Sequence, residues 1–138
     1  MNCYKFKDIY LGLSSEFKIK ITEEMMNSFA EMSGDINPLH LDEEYAKKHG
    51  FNSRVVYGML TSTFYSTLVG VYLPGWYCLL HAIEVGFHKP LYVNNIITIY
   101  GAVSYINEAY QQIEIKAYIK DSEDQIVSKA KIKVGLNE

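Results

Sequence analysis

The sequence predicts an α+β domain in which a mainly antiparallel sheet wraps one buried helix, and three observations carry that reading. Gly58 to Leu73 is apolar or small-hydroxyl nearly all the way round, as in a helix covered on every side. Everything after Trp76 reads as strands. The connections between those strands, Asn94-Asn95, Asn107-Glu108 and Asp121-Ser122-Glu123-Asp124, are too short for crossover helices, so neighbouring strands run antiparallel. A sheet with one wetted face must cover the other, and Gly58 to Leu73 is the only fully apolar helix available to do so.

Taken in order, residues 1 to 14 are an aromatic, lysine-containing lead-in, and Glu16 to Ile21 alternates polar and apolar residues as a short strand does. Thr22 offers an N-cap. Glu23 and Glu24 then put negative charge in the first turn of a helix whose apolar side is Met25, Met26, Phe29, Ala30 and Met32. The stretch Ser33 to His40 follows directly and reads as a shaped turn, since Gly34 reaches backbone angles closed to other residues and Pro38 pushes Asn37 out of helical geometry. A second helix starts at Asp42 as N-cap, with Glu43 and Glu44 in its first turn, and stops at Gly50. Lys47, Lys48 and His49 suit its C-terminal end, which makes His49 a solvated helix-end residue.

The buried helix is too short and too rich in hydroxyls for a membrane span, and Pro74-Gly75 ends it. Tyr77 to Phe87 and Ile96 to Ile106 are long strands with apolar residues on both faces. In the next two strands, Ile113, Ile115, Ala117 and Ile119, then Ile126, Ala130, Ile132 and Val134, share their runs with lysines and other polar residues, so one side is wet. Two-sided apolar strands imply further burial, and an open sheet edge is a liability that self-association removes. A homodimer is expected.

With 138 residues, 49% hydrophobic and 21% charged, residues 1–138 form a single domain able to bury a core. A net charge of −3 and 13 scattered basic residues give no field for nucleic acid. Cys3 and Cys78 stand alone, outside any C-x-x-C pattern, and read as structural or incidental thiols. Met1 to Tyr10 lacks the apolar run of a signal peptide, so the expected compartment is a reducing cytoplasm.

The stretch Ser33 to His40 is the one that packing alone does not explain. Asp35 and His40 lie five residues apart with Asn37 between them, and a folded-back turn can aim all three at one point as a general acid/base group. Asp and Asn in a Gly/Pro turn also hydrogen-bond local backbone, which would account for Asp35 and Asn37 without any chemistry. A metal site from Asp35, His40 and Asp42 is a third reading, disfavoured because no second His or Cys stands at ligand spacing.

The run from Phe29 to Asp42, containing Gly34-Asp35-Ile36-Asn37-Pro38-Leu39-His40, followed by Val55-Val56-Tyr57-Gly58-Met59-Leu60 and later Phe87-His88-Lys89-Pro90-Leu91, resembles the MaoC-like hydratases and dehydratases, among them the (R)-specific enoyl-CoA hydratases. The resemblance covers roughly residues 15 to 135 and implies the hotdog fold. It implies that Asp35 and His40 are the catalytic pair, Asp35 as base toward water and the two together managing the proton delivered to the α-carbon. By the same resemblance Asn37 orients the turn, Gly58 offers a backbone N–H to the thioester carbonyl oxygen, and Ser66 matches a family serine near the active site. The Ser66 hydroxyl could equally bond back to a carbonyl of its own helix. The implied reaction is addition of water to a trans-2-enoyl thioester, carried by coenzyme A or acyl-carrier protein, giving the (R)-3-hydroxyacyl product, or its reversal, with no metal or organic cofactor. Independently of the resemblance, an amide at the start of a buried helix, with the positive end of the helix dipole behind it, suits a developing enolate oxygen.

Two positions depart from the family's pattern. Tyr57 stands where the family usually has His, and is expected to reshape the pocket mouth and contact substrate. Asn94-Asn95 replaces a frequent Gly-Asp. A hotdog thioesterase, or a non-catalytic acyl-thioester-binding module, are the alternatives; retention of Asp35, Asn37, His40 and Gly58 together favours the hydratase. Arg54, the lone arginine, lies close enough before Gly58 to meet a carrier phosphate or else serves a surface loop.

Overall fold

The computed structural model describes all 138 residues as an α+β domain with one five-stranded sheet. The strands are β1 (Ser14–Lys20), β2 (Cys78–Phe87), β3 (Ile96–Asn107), β4 (Gln112–Lys120) and β5 (Ile126–Leu136), and the helices are α1 (Glu23–Ser33), α2 (Pro38–Leu41), α3 (Glu43–Lys48) and α4 (Gly58–Thr67). Strand order is β1-β3-β4-β5-β2, with every neighbouring pair antiparallel. The sheet is open, and β1 and β2 are its edges.

Alternation along the strands divides the sheet into two faces. Ile97, Ile99, Val103, Ile113, Ile115, Ile119, Ile132 and Val134 are buried on one, while Lys116, Lys129, Lys131 and Lys133 stand exposed on the other. α4 lies against the buried face. Leu60, Thr61, Phe64 and Tyr65 are its buried residues. A π-helical turn, Leu68–Tyr72, continues it and buries Leu68 and Val69. Contacts from this rod run across the sheet. Tyr72 stacks on Phe17 of β1 at 4.8 Å, Leu68 approaches Gly101 of β3 so closely that a Cβ there would lie 2.6 Å from its Cδ2, and the Tyr65 hydroxyl meets Ser128 Oγ of β5 at 2.9 Å.

Four expectations need adjusting. The rod expected to run as one helix from Gly58 to Leu73 is α-helical only to Thr67, after which the π turn loosens it ahead of Leu73 and Pro74. The lead-in carries a 3-10 turn, Phe6–Asp8. Pro38, read as part of a turn, opens the short helix α2, where a proline at the first position loses no hydrogen bond. Strand β2 is not buried on two faces: Leu79, Leu80, Ile83 and Phe87 are all exposed, because the strand sits at the sheet edge. The caps at Thr22 and Asp42 fall where their side chains predict, accepting from Met25 N–H at 3.2 Å and Tyr45 N–H at 3.0 Å. His49 ends α3, its ring nitrogen bonded to the Tyr45 carbonyl. No helix is long and apolar enough to cross a membrane.

Candidate active site

The Ser33–His40 stretch is built by its own hydrogen bonds. Gly34 caps α1 at φ 75°, the left-handed region that glycine enters without a Cβ penalty, and its N–H bonds the Ala30 carbonyl at 2.9 Å. The Asp35 N–H donates to Ser33 Oγ at 3.1 Å, and the Asn37 N–H donates to Asp35 Oδ1 at the same distance. Asn37 Oδ1 in turn accepts from Leu39 N–H at 3.0 Å, capping α2. The local-backbone reading of Asp35 and Asn37 is therefore correct as far as it goes. It uses only one oxygen of the Asp35 carboxylate.

His40 sits on α2 with its Nδ1 2.7 Å from the Val55 carbonyl. A carbonyl can only accept, so Nδ1 carries the hydrogen, and Nε2 of the neutral ring is left as the nitrogen that can take a proton. The ring lies 4.0 Å from that of Tyr57, tilted by 30°. Tyr57 is 1% exposed. Its hydroxyl donates to the backbone carbonyl of Asp35 at 2.6 Å, and Phe29 of α1 backs its ring at 4.7 Å. Burial, and then the negative charge of Asp35, push the Tyr57 phenol above its ordinary range, against a smaller opposing pull from Arg54, so it stays a neutral donor.

Asp35, His40, Tyr57 and Gly58 border one cavity of about 540 Å³, whose walls include Val56, Thr61 and Leu91. Gly58 is the first residue of α4, and Tyr57 before it supplies no side-chain cap. Its N–H is thus among the first-turn donors that the helix cannot satisfy. A Cβ there would lie 2.9 Å from the ring of Phe87, which also lines the cavity, so a larger residue would displace that ring. His88 and Lys89 stand exposed beside Phe87 on the same wall.

The expected site residues are thus brought together only in part. Asn37 shapes the turn but does not border the cavity, and Ser66 is exposed on α4 away from it. Tyr57, expected at the pocket mouth, borders the cavity with its ring packed against that of His40. Arg54 lies outside the cavity, 3.8 Å from Glu23. Phe87 and Lys89 gave no chemical signal of their own in the sequence, because a phenylalanine and a lysine at a strand end are ordinary edge residues. No three His, Cys, Asp or Glu side chains converge as a metal-ligand group.

An open cavity bordered by a carboxylate, a tautomer-fixed imidazole and a helix-start amide is the arrangement of an acid/base enzyme acting beside a carbonyl. A family model described as MaoC like domain matches residues 11–125. The chain belongs to this MaoC-like family of hotdog-fold hydratases and dehydratases. Among characterised proteins it is 31% identical over 94 residues to a 3-hydroxybutyryl-CoA dehydratase of Methylorubrum extorquens, and 33% identical over 93 residues to an (R)-specific enoyl-CoA hydratase of Rhodospirillum rubrum. Those stretches cover 68% and 67% of this chain, and 60% and 65% of the relatives' own lengths. In three dimensions it resembles an (R)-hydratase from A. caviae involved in PHA biosynthesis, with a TM-score of 0.90 and 25% identity over 94% of this chain and 98% of that one.

Proposed function

We propose that the protein is an (R)-specific enoyl-thioester hydratase that adds water to trans-2-enoyl thioesters of coenzyme A or acyl-carrier protein, or removes it from the 3-hydroxyacyl product. The observation that carries this reading is the shared cavity of Asp35, His40 and the Gly58 amide. With the thioester carbonyl oxygen on the Gly58 N–H, the alkene is polarised and its β-carbon becomes electrophilic. A water held between the second carboxylate oxygen of Asp35 and Nε2 of His40 gives up a proton as its oxygen bonds the β-carbon. The same pair returns a proton to the α-carbon, so the net change is one water added across the double bond.

Dehydratase and hydratase relatives support the substrate class, and the fixed tautomer of His40 leaves Nε2 as the proton acceptor this chemistry needs. Lys89 beside the opening supplies positive charge suited to a carrier phosphate. We further propose that the chain works as a homodimer, pairing with a second copy along β2, and that it acts in the cytoplasm. Incubation with a short trans-2-enoyl-CoA tests the reaction: absorbance of the conjugated thioester should fall and (R)-3-hydroxyacyl-CoA appear. Release of free thiol with the double bond intact would establish a thioesterase instead.

A further inference from the structure

We propose that Tyr57 is a positioning residue, which sets the spacing of Asp35 and His40 through one hydrogen bond and one ring face. The inference deepens the hydratase reading and rests on it for its kinetic consequence. Asp35 comes from the turn after α1 and His40 from α2; both bond Asn37, Asp35 through Oδ1 and His40 through its N–H, but the His40 ring itself is tied only to the Val55 carbonyl. Tyr57 touches both. Its hydroxyl fixes the Asp35 carbonyl at 2.6 Å, and its ring lies 4.0 Å from the His40 ring. Phe29 packs against the ring at 4.7 Å. The next residue is Gly58, so one short segment ties the carboxylate turn and the imidazole to the amide at the start of α4.

The hydroxyl is the informative atom. Phenylalanine would fill the same space, and the Asp35 carbonyl, in an exposed turn, could bond water without a folding penalty. What the bond does is orient the Asp35 peptide. The Ser33 hydroxyl holds the N–H side of Asp35 and Tyr57 holds its carbonyl side, so the backbone from which the carboxylate reaches to the Asn37 N–H is held at both ends. Proton transfer is sensitive to such placement, since a displacement of about 1 Å can cost on the order of a hundredfold in rate.

Two substitutions separate the hydrogen bond from the ring. Tyr57→Phe keeps the ring against His40 and Phe29 and removes the donor, whereas Tyr57→Leu removes both. The Phe variant should keep its thermal midpoint and a KM within about twofold, while kcat falls about tenfold; the Leu variant should fall roughly a further tenfold. Two resonances report positioning without turnover. The Asn37 amide, bonded to Asp35 Oδ1, should shift and exchange faster in the Phe variant, and the His40 ring protons should keep their ring-current shift in Phe and lose it in Leu. Wild-type kcat and an unmoved Asn37 resonance in the Phe variant would overturn the proposal, as would a kcat loss that merely tracks lost stability. If the wild-type chain hydrates no enoyl thioester, the hydratase reading fails, and the two resonances alone decide the role of Tyr57.

Discussion

Asp35 is both a turn builder and a candidate base, and the two roles fall on different oxygens of one carboxylate. Asp35→Asn keeps an oxygen to accept from Asn37 N–H and removes the base; His40→Gln removes the imidazole while retaining a polar side chain. Each change should lower kcat by roughly a hundredfold to ten-thousandfold with modest change in KM, and the double variant should be little worse than the worse single one, because both groups act on one water. A soluble Asp35→Asn protein with near-normal turnover would reduce Asp35 to a cap. The cysteines differ as well. Burial pushes the Cys78 thiol up from 9.0 to about 11, while Cys3 is exposed. A raised pKa means less thiolate at any pH below it, so at about pH 8 an alkylating reagent should modify Cys3 first and Cys78 about a hundredfold more slowly. At this scale the sequence was informative where a side chain has distinctive chemistry, as at Asp35 and His40. It singled out Tyr57 as a departure from the family's usual His but not its contacts with Asp35 and His40, which depend on which way a buried ring faces.

The start of α4 illustrates what an element contributes that its residues do not. Gly58 presents an unsatisfied amide because it is first in a helix, and a Cβ added to it would meet the ring of Phe87 of β2. Phe87 is 54% exposed, so its ring can move aside. Gly58→Ala should therefore fold with little change in thermal midpoint but turn the ring into the cavity, raising KM for enoyl thioesters several-fold. A large loss of stability instead would mean that the ring is held in place. Hydrophobic periodicity and caps made the long elements legible, from the Thr22 cap to the alternating lysines of β5. It could not reveal that β2 lies at an edge, since a strand apolar on both faces has the same pattern whether it is central or waiting for a partner. Nor did it reveal α2, because proline reads as a breaker except at a helix's first position.

For the whole molecule, the exposed apolar strand β2 is the feature that a second copy would cover. Leu79, Leu80 and Ile83 line it. Wild-type protein should sediment as a dimer at micromolar concentration, and Ile83→Glu, which places a charge in the middle of the proposed seam, should shift it toward monomer. A wild-type monomer would contradict the pairing. The strand order has a different consequence, for the order of events during synthesis. β3, β4 and β5 follow one another as a meander, but β1 is held by a strand made much later, with Ser14 opposite Ala102, and β2 is held by the last one, with Cys78 opposite Leu136. A ribosome therefore releases α1, the Ser33–His40 turn and the apolar rod of α4 before the surface that shelters them exists. The nascent chain must carry Leu60, Phe64, Tyr65 and Leu68 unprotected until its final strand emerges.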